Sequence, residues 1–278
     1  MVNTFLCGRF EFDLERPLVM GIVNVTPDSF SDGGEHADAD TAIRHARRLI
    51  DEGAQILDLG GESTRPGAEP VSAPDELARL LPVIEALRDC GVPLSVDTFK
   101  PEVMRATLDA GVDMINDIYG FRQPGAIEAV AASRCGLCVM HMQGEPGTMQ
   151  QSPVYTDLFG EISTFLTTRA GLLESAGVDP RRIVLDPGFG FGKTADHNYQ
   201  LLRGLSGLRV SGYPLLTGLS RKRMIGDATG KPVTDRVAGS IAGALACVAR
   251  GAAIVRVHDV APTVDALKVW YASEQGAI

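Results

Sequence analysis

The sequence predicts a closed (β/α)8 barrel of TIM type, and three observations predict it. Eight short apolar runs alternate with about eight helical segments along the 278 residues. The units recur about every 35 residues, which suits parallel strands joined by right-handed crossovers and closed into a ring. Each apolar run gives way to polar residues at its C-terminal end, the way a barrel builds one functional face. An open doubly wound sheet is the alternative. No linker or composition break interrupts the chain, so a single domain over 1–278 is expected, with the barrel proper at about 18–274.

Residues 5–14 alternate loosely around Cys7-Gly8 and predict a short N-terminal hairpin. The first barrel strand is 18–23, apolar throughout, after which Asn24 opens a polar loop running to Gly34. Helix 41–52 carries Ala42, Ile43, Ala46, Leu49 and Ile50 on one stripe, with Gly53 as its stop. Strand 55–59 runs into Gly60-Gly61-Glu62-Ser63-Thr64-Arg65-Pro66-Gly67. Helix 74–90 is followed by strand 93–96, which ends at Asp97-Thr98. Helix 102–110 and the strand starting at 113 lead to Asn116-Asp117. Helix 126–132 and strand 137–140 lead to His141, then to a Gly- and Pro-containing loop over 143–155. Helix 158–175 and strand 183–185 lead to Asp186-Pro187-Gly188-Phe189-Gly190-Phe191-Gly192-Lys193. Helix 198–205 and strand 214–217 lead to Gly218-Leu219-Ser220-Arg221-Lys222. An Ala-rich helix over 235–250, strand 253–257 ending at His258-Asp259, and helix 262–271 complete the series.

At 45% hydrophobic and 22% charged residues the composition is that of a soluble globular protein, and a net charge of −9 gives no electrostatic footprint for nucleic acid. The N-terminus has neither the basic nor the apolar region of a secretory signal. The uncharged stretch 237–249 is too short to span a bilayer and reads as a core or subunit-interface helix. Cys7, Cys90, Cys135, Cys138 and Cys247 are scattered, and Cys135-Gly136-Leu137-Cys138 has no second pair, which predicts reduced cytoplasmic thiols.

If the strand ends share one mouth, they bring together Asn24, Thr64-Arg65, Asp97, Asn116, His141, Asp186, Ser220 with Lys222, and Arg256 with His258. Asp97, Asn116 and Asp186 are rich in acceptors and suit a planar heterocycle bearing N–H and amino groups. Arg65, Arg256 and His258, with Asn24 beside them, suit a phosphate or diphosphate. Lys222 serves as a donor to a carbonyl or ring nitrogen, or as a Schiff-base nucleophile in an aldolase. The 187–194 segment has the wrong glycine spacing for a Walker A loop, and 188–192 fails the dinucleotide fingerprint. No His/Cys/Asp cluster has zinc-site spacing.

These residues closely resemble the dihydropteroate synthase family from about residue 18 to 270. The most specific pieces are Gly21-Ile22-Val23-Asn24-Val25-Thr26-Pro27-Asp28-Ser29-Phe30-Ser31-Asp32-Gly33-Gly34 and Asp58-Leu59-Gly60-Gly61-Glu62-Ser63-Thr64-Arg65-Pro66-Gly67. The 186–193 segment, Ser220-Arg221-Lys222 and Arg256-Val257-His258-Asp259 complete the pattern. The resemblance implies condensation of 4-aminobenzoate with 7,8-dihydropterin-6-ylmethyl diphosphate in folate biosynthesis, a step targeted by sulfonamides. It implies a pterin held by Asp97, Asn116, Asp186, Lys222 and Arg256, with Ile118, Met140, Phe191 and Gly218 around the ring. It further implies Mg2+ on Asn24, diphosphate contacts from Arg65, Arg256 and His258, and an aminobenzoate site framed by Phe30, Thr64, Pro66, Phe191, Ser220 and Lys222. A homodimer is expected on the same ground. Asp97, Lys222, Arg256 and Asp32 are the expected catalytic residues, with Asp32 acting in closure over the substrates. A non-catalytic pterin-binding subunit of a methyl-transfer system is the other reading, and it would not need Arg65 or Phe30.

Overall fold

The computed structural model describes residues 3–26, 34–63 and 69–275, the side chains of 34–38, 210 and 275 excepted. Strands β1 (Thr4–Cys7) and β2 (Phe10–Asp13) form the expected antiparallel hairpin. The barrel is built from β3 (Leu18–Asn24), β4 (Ile56–Gly60), β5 (Leu94–Asp97), β6 (Met114–Asp117), β7 (Gly136–Met140), β8 (Ile183–Asp186), β9 (Leu215–Thr217) and β10 (Ala252–Val257). All eight neighbour pairs are parallel, and β10 closes the ring between β9 and β3. The helices are α1 (Gly34–Asp51), α2 (Ala73–Leu87), α3 (Pro101–Asp109), α4 (Ala126–Ala131), α5 (Leu158–Ser175), α6 (Ala195–Arg203), α7 (Arg223–Thr229), α8 (Val237–Val248) and α9 (Val260–Gln275).

Period-two alternation sorts each strand into two faces. Leu57 and Leu59, Leu94 and Val96, Leu137 and Val139, and Ile183 and Leu185 point outward into the layer packed by the helices. Met20, Ile56, Met114, Cys138, Val184, Leu216 and Ile254 point inward and form a separate apolar core inside the ring. The hairpin stoppers that core from the N-terminal end: Phe5 and Cys7 are fully buried against it. A Cβ on Gly136, at the start of β7, would lie 2.7 Å from the Phe5 ring, so only glycine lets the plug seat there.

Above that core the inward positions turn polar. Residues Asn24, Gly60, Asp97 and Asn116 are register partners on four consecutive strands and form one rung at the C-terminal mouth. One turn of the alternation deeper sit Asp58 and Ser95, again partners.

Several element boundaries depart from the sequence expectation. Helix α1 begins at Gly34 rather than near 41, because the apolar stripe marks only the turns that pack on the barrel. Helix α6 begins at Ala195, capped by a Thr194–His197 capping box. The segment 223–229 forms a helix of its own, α7, ended by Gly230 in the left-handed region. Among the described residues no helix is long and apolar enough to cross a membrane.

Candidate active site

Asp58 lies one layer below the mouth and ties its polar groups together. It is fully buried on β4 and accepts three side-chain hydrogen bonds, from Ser95 Oγ (2.6 Å), Asn116 Nδ2 (3.1 Å) and Arg256 Nε (2.5 Å). Arg256 also donates through Nη2 to Asp97 Oδ2 at 3.0 Å, so one guanidinium joins two carboxylates. Burial works against the Arg256 charge, but Asp58 and Asp97 outweigh it and raise its pKa. Burial lifts the Asp97 carboxyl to about 7 against the pull of Arg256. Asp97 Oδ1 and Asn116 Oδ1 are buried and have no hydrogen-bond partner. Such groups are costly to leave unpaired in a folded chain, and here two belong to register partners at the mouth.

Across the ring, Asp186 Oδ1 accepts from Gly188 N at 2.7 Å, and burial raises the carboxyl, opposed by Lys222. Gly188 sits at φ +70°, where an added Cβ would meet His141 O at 1.9 Å; the turn therefore packs backbone against backbone. Lys222 Nζ donates to Phe189 O at 2.5 Å and stands 4.7 Å over the Phe191 ring. Burial lowers the Lys222 ammonium to about 8, partly countered by Asp186. Its neighbour Arg221 holds φ +57°, a strained value for a residue with a Cβ, and is fixed there by an ion pair with Asp259 and by Ser240 Oγ. Apolar side chains Ile118, Met140, Met142, Met149 and Tyr119, with Phe99 and Phe191, form a cluster beside these groups. Gly218 is next to Arg256, whose Cβ would lie 3.7 Å from an added Cβ.

Ser220 Oγ accepts from His258 N at 3.2 Å and contacts His258 Nδ1 at 3.1 Å, tying the loops after β9 and β10 together. Beside Asn24 and His258 lies a cavity of about 550 Å³, walled also by His45, Arg48 and Arg221. Phe30, Asp32, Thr64, Arg65 and Pro66 lie outside the described residues. The chain on either side of 64–68 is joined by Glu62, whose Oε1 accepts from Val71 N (3.0 Å) and whose Oε2 pairs with Lys100 (2.5 Å).

Two strand-end residues do not join the mouth. His141 is one position beyond inward Met140 and turns out of the ring, edge-on to Phe165, with Nδ1 3.0 Å from Lys193 Nζ. Burial, reinforced by Lys193, depresses its pKa to about 2, which keeps the ring neutral. Asp117, one past inward Asn116, accepts from the backbone N–H groups of Tyr119 and Phe121 and serves the turn. Conversely, sequence reasoning passed over Asp58 and Lys193. Asp58 is an acid inside an apolar strand, in phase with Ile56, which is the signal that would have found it. Lys193 is buried, with Nζ bound to Gly188 O (3.0 Å), Phe191 O (3.1 Å) and His141, and burial lowers it to about 7.

A floor of acceptors, a facing lysine and an apolar wall suit a flat heterocycle, and comparison with known proteins agrees. The family model described as pterin binding enzyme matches residues 20–258. A dihydropteroate synthase of Neisseria meningitidis serogroup C is 53% identical over 277 residues, covering 97% of each chain. This chain belongs to the dihydropteroate synthase family. Among solved structures, the Burkholderia cenocepacia dihydropteroate synthase complexed with 7,8-dihydropteroate is 56% identical with a TM-score of 0.90, over 98% of this chain and 97% of that one. The Xanthomonas albilineans dihydropteroate synthase with 4-aminobenzoic acid is 52% identical with a TM-score of 0.92, over 99% of both chains. Those matches also remove the aldolase reading of Lys222.

Proposed function

We propose that this chain condenses 4-aminobenzoate with 7,8-dihydropterin-6-ylmethyl diphosphate, giving 7,8-dihydropteroate and diphosphate. The observation that carries the reading is the rung at the mouth: Asp97 and Asn116 are register partners whose Oδ1 atoms are both buried and unpartnered, and Asp186 and Lys222 are close enough to interact electrostatically across the ring. A dihydropterin offers ring N–H and amino donors to the acceptors, and a carbonyl and ring nitrogen to Lys222. Ile118, Met140, Phe191 and Gly218 cover its faces, with Arg256 beneath.

The exocyclic methylene is attached to an electron-rich reduced ring, so diphosphate departs before the amine attacks. Asp97 steadies the positive charge that develops on the ring, and it does so as a carboxylate in a buried site, where the interaction is strong. Arg65, Arg256 and His258 hold the departing diphosphate. The arylamine is already unprotonated at neutral pH, so no strong general base is needed. Phe30, Thr64, Pro66, Phe191, Ser220 and the Lys222 backbone frame 4-aminobenzoate.

Asn24 fits Mg2+ through one hard amide oxygen beside the cavity. Among the described residues no three His, Cys, Asp or Glu side chains converge, which suits an ion taking its other ligands from diphosphate and water. When bound, Mg2+ supplies charge neutralisation on the leaving group. We place the enzyme in the cytoplasm as a homodimer; exposed small residues of α8, Ala238 and Ala242, are compatible with close subunit packing.

The test is product formation from labelled 4-aminobenzoate, separated chromatographically, for the wild type and Lys222→Ala. Labelled dihydropteroate from the wild type, lost in a folded Lys222→Ala variant, is expected. A wild type that binds the pterin diphosphate but forms no product would support the non-catalytic subunit instead.

A further inference from the structure

We propose that Asp58 is a positioning residue that fixes which atom of Asn116 meets the pterin ring, and so sets the donor preference of the pocket. The inference rests on the reading that the ring lies on Asp97 and Asn116.

A side-chain amide carries a donor at one end and an acceptor at the other, and by itself it turns to suit whatever ligand edge arrives. Asn116 lacks that freedom. Its Nδ2 is 3.1 Å from Asp58 Oδ2, and a carboxylate paired with a guanidinium only accepts. Turning the amide over would set Oδ1 against Oδ2, two acceptors without a proton between them, in a fully buried place. The Asp58 carboxylate is itself unable to rotate away. Ser95 Oγ holds its other oxygen at 2.6 Å, and Arg256 Nε, anchored also on Asp97, grips Oδ2 at 2.5 Å. Asn116 Oδ1 is consequently delivered to the ligand side, buried and unpartnered, next to the equally unpartnered Asp97 Oδ1. The floor is an acceptor surface before any ligand arrives, and Asp58, which does not face the ligand, makes it so.

The consequence is a selectivity. A 2-amino-4-oxo ring meets the floor with donors. Its 2,4-dioxo counterpart, a lumazine, exchanges the amino group for a carbonyl and reverses the pattern at the adjacent ring nitrogen. It therefore sets like against like at a rigid amide. Once Asn116 is free to turn, that mismatch is relieved.

The experiment measures dissociation constants of 6-hydroxymethyl-7,8-dihydropterin and of the corresponding dihydrolumazine for the wild type, Asp58→Ala and Ser95→Ala. The wild type is expected to prefer the pterin by about 100-fold or more, as buried sites built for a hydrogen bond do. In Asp58→Ala the preference narrows by about 10-fold or more, with lumazine affinity kept or improved, since water in the vacated polar space accepts or donates as Asn116 requires. Ser95→Ala, which leaves the Asp58–Asn116 bond intact, keeps the wild-type ratio. A folded Asp58→Ala protein with an unchanged ratio overturns the inference while leaving the functional reading in place. A wild type that binds neither ring overturns both. Should Asp58→Ala not fold, the wild-type side-chain amide signals of Asn116, assigned by their loss in Asn116→Ala, decide the matter. One orientation, protected with and without ligand, is expected; averaging between two orientations in the free protein overturns the proposal.

Discussion

Replacing Lys193 by Met isolates a buried cation that the reaction itself does not use. Its ammonium is 2% exposed and spends its three donors on Gly188 O, Phe191 O and His141 Nδ1, none of them a carboxylate. Two effects of opposite sign follow from Lys193→Met. Three buried acceptors lose their partner, at about 1–3 kcal/mol each. Against this, the variant escapes the penalty of burying the charge, which the shift from 10.5 to about 7 puts at about 4 kcal/mol at neutral pH. The losses match or exceed the gain, so at pH 7 the variant should lie between about 1 kcal/mol more stable and about 5 kcal/mol less stable than the wild type. The pH dependence separates them. The folded-state pKa is the lower one, so between about 7 and 10.5 the unfolded chain holds a proton that the folded chain has shed. Wild-type stability therefore climbs with pH across that window relative to Lys193→Met, by about 4 kcal/mol in all. Urea unfolding of both proteins at pH 7 and pH 10 measures the difference. Activity should suffer in either case, because the lysine pins the loop carrying Phe191: KM for the pterin diphosphate should rise by about 10-fold or more. A stability difference that stays flat from pH 7 to pH 10 refutes the buried, carbonyl-bound ammonium.

With Asp97 lifted to about 7 and needed as a carboxylate, kcat/KM should rise with pH through about 7 on a one-proton slope, and Asp97→Asn should be slow and lack that limb. Phe5→Ala removes the plug at the far end of the barrel; it should cost about 3–5 kcal/mol in chemical denaturation while KM for both substrates stays within about 2-fold. Chelation by EDTA should abolish turnover and Mg2+ restore it, with Asn24→Ala needing about 10-fold more Mg2+ for half-maximal rate.

The barrel was legible because its strands are largely buried on both faces and so read as short, mainly apolar runs, such as 18–23, 137–140 and 183–185. Helix α7 was not legible, since its seven residues have too few turns to show a stripe. Of the site, Asp97, Asn116, Asp186 and Arg256 could be named because a polar group at the end of an apolar strand has few other uses. Position after a strand was nonetheless too coarse a rule. Parity along the strand decides which face a side chain takes, and it carries Met140 inward and His141 outward, Asn116 inward and Asp117 outward. The same parity turns Asp58 and Arg256 toward each other inside the barrel, a pairing of residues far apart in the chain that only the closed ring creates.

The most direct measurement is diphosphate release. The purified chain would be given 7,8-dihydropterin-6-ylmethyl diphosphate and Mg2+, with and without 4-aminobenzoate, and diphosphate and dihydropteroate measured in the same samples. One diphosphate per dihydropteroate is expected when 4-aminobenzoate is present, with both slowed together in Asp97→Asn. Folded wild-type protein that binds the pterin diphosphate yet releases no diphosphate under either condition would contradict the proposed function.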